Sequence, residues 1–85
     1  MWESQYTQKA AKSILKLNPT LRVRMVEELE KLQGDPDLGK QLTGPLKGLR
    51  SLRVGEYLII YKKESNALIV LIIAVGHRKN IYKGR

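Results

Sequence analysis

The segment at positions 76–82, GHRKNIY, brings together an imidazole, a guanidinium and a phenol, three groups that can act on a phosphodiester. Cleavage of RNA by its own 2′-OH needs a proton acceptor, cationic stabilisation of the phosphorane, and a proton donor for the departing 5′ oxygen. Arg78 and Tyr82 can supply the last two without a metal ion, and the His77 imidazole can accept or donate a proton. Arg78, Tyr82 and His77 are therefore candidate catalytic residues.

The charge of the chain is divided unevenly along its length. Residues 1–39 carry six cations and six anions, whereas residues 40–85 carry ten cations against only Glu56 and Glu64. All of the net charge of +8 therefore lies in the second half. Such segregation indicates a basic face for a polyanion, either nucleic acid or an acidic protein. The candidate RNA-binding cations are Lys47, Arg50, Lys62, Lys79 and Lys83.

Composition excludes several classes of protein. The chain has no cysteine and one histidine, so thiolate and multi-histidine metal sites are excluded and no cofactor is expected. The longest apolar run, ALIVLIIAV at 67–75, is about half of the ~20 residues that a membrane helix needs. The start, MWESQYTQ, does not resemble a signal peptide. We therefore expect one cytoplasmic domain spanning residues 1–85.

The first half of the chain predicts a short strand followed by two helices. WESQY at 2–6 alternates in the manner of a strand, and Thr7 is a possible N-cap for the amphipathic segment QKAAKSILKL. Asn18 and Pro19 suit the start of a second helix, which runs to Gln33. Because so little chain joins the two helices, they should form an antiparallel hairpin.

The second half predicts a meander of three strands. Residues 34–48 are expected to form a connector with little regular structure, followed by strands at 49–54, 57–63 and 67–75. The predicted fold is α+β, with the helix hairpin on one face of a mostly antiparallel sheet. Alternation places Arg50 on the side of the helices and Arg53 on the open face.

Each candidate also has a simpler interpretation. Tyr82 could cap the edge of the core, and His77 could only hydrogen-bond the backbone. Arg50 and Arg53 could form ordinary surface ion pairs with Glu56 or Glu64. The residues by themselves therefore indicate a basic sheet face, for RNA or for an acidic partner.

Two stretches, LRVGEYLIIY and AVGHRKNIY, resemble the RelE/ParE superfamily of type II toxins, and more specifically the RelE-like mRNA interferases. The shared motifs have the forms R-x-G-[DE]-Y and G-H-R-x-x-[VI]-Y. The resemblance implies an endoribonuclease that cuts mRNA in the ribosomal A site. By position, it implies that Arg78 stabilises phosphate charge, that Tyr82 stacks on the substrate and takes part in proton transfer, and that Arg53 is the basic residue before the glycine turn.

The resemblance also implies partners and an alternative. The partners would be a cognate RelB-like antitoxin, the ribosome and mRNA, and the toxin alone would be monomeric. Many relatives carry basic residues where this chain has Ser51 and Leu58, so a slow interferase is one expectation. The alternative is a non-catalytic inhibitor of DNA gyrase of the ParE type, or a member reduced to RNA binding.

Overall fold

The computed structural model describes residues 2–81. A five-stranded sheet has the order β1-β5-β4-β3-β2, with β1 parallel to β5 and the other pairs antiparallel. The α+β fold predicted from the sequence is confirmed. The elements are β1 (Glu3–Tyr6), α1 (Gln8–Leu15), α2 (Pro19–Gly34), β2 (Lys40–Gln41), a short 3-10 helix (Gly44–Leu46), β3 (Arg50–Val54), β4 (Tyr57–Glu64) and β5 (Ile69–His77).

Both predicted helix caps are present. The Thr7 hydroxyl oxygen accepts a hydrogen bond from the Ala10 N–H at 3.1 Å, and the Asn18 side chain accepts one from the Leu21 N–H at 2.9 Å. These bonds satisfy backbone donors that a helix start leaves without partners. The junction between α1 and α2 is closed by Arg22, whose guanidinium donates to backbone carbonyl groups at positions 15 and 17.

One face of the sheet packs against the two helices. Residues opposite each other in paired strands share a face, so the register identifies the buried one. The pairs Leu52 with Ile59 and Ile59 with Val75 lie on this face. The buried cluster joins both helices to the sheet and comprises Ala10, Leu17, Met25, Leu29, Leu32, Val54, Ile59, Tyr61, Val70, Ile72 and Val75.

A β-bulge in β5 changes which residues face the helices. Ile60 pairs with Ala74 while Tyr61 pairs with Ile72, so Ile73 is the extra residue. The carbonyl of Ile73 accepts a hydrogen bond from the Thr7 hydroxyl at 2.7 Å. Thr7 therefore caps α1 and also ties that helix to the bulge of β5.

The connector differs from the prediction because it contains two short regular elements. It holds β2, which pairs with the start of β3, and the 3-10 helix. The last strand also begins at Ile69 instead of 67 and reaches His77, after a turn in which Leu68 has φ 55°. Strand β2 has only two residues and adds no hydrophobic alternation to the sequence, so the pattern did not indicate it.

The connector is fixed to β4 by the Tyr61 hydroxyl. This buried group donates to the Pro36 carbonyl at 2.7 Å and accepts from the Gly39 N–H at 2.8 Å. Burial raises the pKa of Tyr61 above its ordinary value. The hydrogen bond from Lys63 lowers the pKa of Asp37, which also pairs with Arg50 at 3.2 Å.

Across the described residues, no helix is long and apolar enough to cross a membrane.

Candidate nucleic-acid interface

The site is built on the tight turn between β3 and β4. Val54 pairs with Tyr57, so Gly55 and Glu56 form a two-residue hairpin loop. Gly55 has φ 61°, a conformation that side chains with a Cβ rarely adopt. The turn therefore depends on glycine at this position, and it holds Glu56 at a fixed point beside the end of β5.

Two predicted catalytic arginines meet at the carboxylate of Glu56. The Arg78 Nε donates to Glu56 Oε2 at 2.5 Å, and Arg53 Nη2 lies 3.9 Å from Glu56 Oε1. The side chains of Arg53, Glu56 and Arg78 are 60%, 55% and 47% exposed, so the cluster is open to a large ligand. The structure thus brings together residues that are 25 positions apart in the chain, through the pairing of β4 with both neighbouring strands.

Besides the carboxylate, backbone carbonyl groups of the turn hold the Arg53 side chain and the Arg78 main chain. The Arg78 N–H donates to the Glu56 carbonyl at 2.8 Å. Arg53 Nε donates to the Gly55 carbonyl at 2.9 Å. The geometry is that of an anion site, because two guanidinium groups converge on one pair of oxygen atoms, as they do on a phosphate.

A third guanidinium beside this turn was not found from the sequence. A Cβ built on Gly55 would lie 3.5 Å from Arg24 Nη1, so the Arg24 side chain from α2 lies against the turn. Nothing in the local sequence distinguishes Arg24 from the other two cations of α2, Arg22 and Lys31. Its position follows from the packing of α2 across β3, which a single sequence does not reveal.

His77 faces the other side of the sheet from Arg53. It pairs with Tyr57, on the helix face, whereas Arg53 pairs with Leu58 and Leu58 pairs with Gly76, on the open face. The Tyr57 and His77 rings make an edge contact with centroids 5.5 Å apart. His77 Nδ1 accepts the Lys79 N–H at 3.1 Å, so a neutral imidazole carries its proton on Nε2.

Three of the predicted RNA-binding cations, Lys47, Arg50 and Lys62, lie apart from this cluster. Arg50 is on the helix side, as alternation indicated, with its side chain 18% exposed and bonded to the Gly39 carbonyl at 2.9 Å. Lys47 lines a cavity of about 560 Å³ with Arg50. Lys62 pairs with Glu64 at 3.5 Å. Lys79 is exposed directly after Arg78, whereas Tyr82 and Lys83 lie outside the described residues.

Ser51 and Leu58 lie on the open face together with Arg53. Leu58 is directly opposite Arg53, and Ser51 pairs with Ile60. At these two positions the open face beside Arg53 is therefore uncharged, and at Leu58 it is apolar. Within residues 2–81, no group of three His, Cys, Asp or Glu side chains could hold a metal ion.

Comparison with known proteins points to one family. A family model described as the ParE toxin of the type II toxin-antitoxin system parDE matches residues 5–82. Toxin RelG of Mycobacterium tuberculosis is 32% identical over 81 residues, which is 93% of each chain. This chain therefore belongs to the RelE/ParE family of type II toxins.

Solved structures show the same fold. A chain of the toxin-antitoxin complex RelBE2 from Mycobacterium tuberculosis superposes with a TM-score of 0.83 at 30% identity, over 91% of this chain and 98% of that one. The intact E. coli RelBE complex gives a TM-score of 0.80 at 18% identity, over 91% of this chain and 96% of that one. Both relatives were crystallised as complexes with an antitoxin.

Proposed function

We propose that this toxin is a ribosome-dependent endoribonuclease that cleaves mRNA in the A site. The reaction would begin with transfer of the 2′-OH proton to solvent water and attack of the 2′ oxygen on the adjacent phosphorus. The bond to the 5′ oxygen then breaks and that oxygen takes up a proton. A 2′,3′-cyclic phosphate and a 5′-OH result, with no net change in oxidation state.

The observation that carries this proposal is the convergence of Arg53 and Arg78 on one carboxylate. The phosphorane formed during the reaction carries more negative charge than the starting diester, so two guanidinium groups at that point lower the barrier. Arg24 adds a third positive charge beside the same turn. Removing one such donor typically reduces a rate about 10²- to 10³-fold.

Two further roles are proposed from the family resemblance and the chemistry of the side chains. Tyr82 stacks on the substrate base and donates a proton to the departing oxygen. His77 acts as a hydrogen-bond or proton donor through Nε2–H, because its Nδ1 accepts the Lys79 N–H and a neutral ring then carries its proton on Nε2. Since His77 lies on the helix side of the sheet, its contact with substrate would occur around the end of β5, where Arg78 follows.

An alanine substitution at Arg78 tests the assignment against a matched control. Arg78→Ala should abolish growth arrest and reduce A-site cleavage at least 10²-fold, with antitoxin binding retained. Lys31→Ala is the control, because Lys31 also forms an exposed ion pair with a glutamate, Glu28 at 2.7 Å, on α2. Full toxicity of the Arg78 variant would show that the site lies elsewhere.

The partners and compartment belong to the same proposal. Relatives crystallised with antitoxins support a cognate RelB-like antitoxin. We propose that it covers the turn that carries Arg53 and Arg78. A flexible acidic segment could cover this area and fold on binding. The toxin alone would be monomeric, and a reaction on translating ribosomes would take place in the cytoplasm.

A second candidate is inhibition of DNA gyrase by binding without catalysis. It is favoured by the match to the ParE family model and by neutral Ser51 and Leu58 on the open face. A supercoiling assay with purified gyrase separates the two functions. Inhibition of supercoiling by the wild-type toxin, in the absence of ribosomal cleavage, would establish this second function instead.

A further inference from the structure

We infer that Glu56 is an internal competitor for the phosphate, occupying the anion position of the toxin until a ligand displaces it. This inference rests on the proposed function for the identity of the ligand, a phosphate group of RNA. Glu56 supplies both of its carboxylate oxygens to the two arginines, at 2.5 Å to Arg78 Nε and 3.9 Å to Arg53 Nη2. An anion that binds these guanidinium groups must therefore share them with Glu56 or push it aside.

The contact is arranged so that the carboxylate can leave without moving the arginine backbones. Arg78 stays tied to the turn because its N–H donates to the Glu56 carbonyl, which is main chain. Arg53 keeps its hydrogen bond to the Gly55 carbonyl. All three side chains are about half exposed, and exposed ion pairs contribute little to stability. Displacement of the Glu56 side chain therefore costs little; the Arg53 guanidinium keeps its bond to the Gly55 carbonyl, and the Arg78 main chain stays beside the turn.

These contacts decide whether removal of the Glu56 carboxylate strengthens or weakens anion binding. If Glu56 mainly positioned the arginines, its removal would weaken anion binding. Because backbone carbonyls already hold Arg53 and the start of the Arg78 segment, removal of the carboxylate instead takes away a negative charge next to the bound anion. One unit charge at about 4 Å in water corresponds to about a fivefold change in an equilibrium constant. We expect Glu56→Gln to tighten anion binding by about that factor.

A titration with inorganic phosphate tests this effect without requiring catalysis. The Nε–Hε signals of Arg53 and Arg78 are followed by NMR in the wild-type toxin, in Glu56→Gln and in Glu64→Gln. The last is a matched control, because Glu64 also belongs to an exposed ion pair, with Lys62 at 3.5 Å, and its removal changes the net charge equally. Glu56→Gln should bind phosphate about fivefold more tightly at both arginines, whereas Glu64→Gln should match the wild type.

Two results of the titration would overturn the inference. One is that Glu56→Gln binds phosphate as weakly as the wild type or more weakly, and the other is that neither arginine responds in any variant. Glu56→Ala provides a second variant with the same expected gain, because the effect comes from charge. The backbone amide signal of Arg78 reports whether the turn has kept its structure in each protein.

The titration also separates this inference from the proposed function. Tighter phosphate binding by Glu56→Gln without ribosomal cleavage by the wild type would leave Glu56 as a competitor and remove the nuclease assignment. Ribosomal cleavage by the wild type with unchanged phosphate affinity in Glu56→Gln would do the reverse.

Discussion

Replacing Tyr61 with phenylalanine should destabilise the toxin because it removes one buried hydroxyl group and its two hydrogen bonds. This hydroxyl donates to the Pro36 carbonyl at 2.7 Å and accepts from the Gly39 N–H at 2.8 Å. Tyr61 is completely buried, and Pro36 and Gly39 are buried as well. In Tyr61→Phe both backbone groups lose their partner in a place that water does not readily reach.

The magnitude follows from the cost of two unsatisfied backbone groups. Each buried donor or acceptor left without a partner costs about 1–3 kcal/mol, so we expect a loss of about 2–6 kcal/mol in the free energy of unfolding. That is a large share of the roughly 5–15 kcal/mol that stabilises a domain. For a chain of this size it corresponds to a fall in Tm of at least about 8 °C. Urea denaturation followed by circular dichroism measures the change.

Tyr6→Phe serves as the control for the loss of a tyrosine hydroxyl. The Tyr6 side chain is 43% exposed, so water can replace the contacts of its hydroxyl, and the expected change is within about 0.5 kcal/mol. If Tyr61→Phe were as stable as Tyr6→Phe, the connector would not depend on the Tyr61 hydrogen bonds and our account of its anchoring would be refuted.

Three further predictions concern the same anchoring of the connector. A Cβ at Gly39 would lie 2.5 Å from the Tyr61 hydroxyl oxygen, so Gly39→Ala should lower Tm strongly, whereas Gly34→Ala, with nothing within 4 Å, should leave Tm nearly unchanged or raise it. Burial raises the pKa of Tyr61 in the folded state, so the neutral phenol contributes to the stability of the toxin. This contribution is complete below the unfolded-state pKa of about 10 and is lost as pH rises through the folded-state pKa. The free energy of unfolding of Tyr61→Phe, measured against pH, should lack this alkaline loss. The lowered pKa of Asp37 stabilises the folded toxin above about pH 4, and this stability is lost as pH falls through the folded-state pKa. The free energy of unfolding of Asp37→Asn should therefore fall less steeply in acid than that of the wild type. An unchanged dependence on pH would contradict this.

The sequence predicted those parts of the fold that depend on local chemistry. Thr7 and Asn18 cap the helices because their short polar side chains reach the free N–H groups of the first turn. Alternation along β3 placed Arg53 on the open face and Arg50 on the helix side, because that strand is regular. The convergence of Arg53 with Arg78 also followed from the predicted meander.

Features that depend on long-range packing could not be predicted. The bulge at Ile73 shifts the alternation of β5, so Val70 and Ile72 face the helices together with Val75 and His77. Counting in steps of two from Ile72 would have placed His77 on the open face. The contact of Arg24 with the Gly55 turn depends on how α2 crosses the sheet, and the bridging by Glu56 depends on the pairing of β4 with β5. Neither leaves a local pattern.

The most direct test of the proposed function is primer extension on a defined mRNA, with and without ribosomes that have a vacant A site. The proposal predicts cleavage at the A-site codon only when both ribosomes and the wild-type toxin are present, with the Arg78→Ala variant inactive. Absence of cleavage by wild-type toxin that still arrests growth would contradict the proposal and leave inhibition of gyrase as the function to examine.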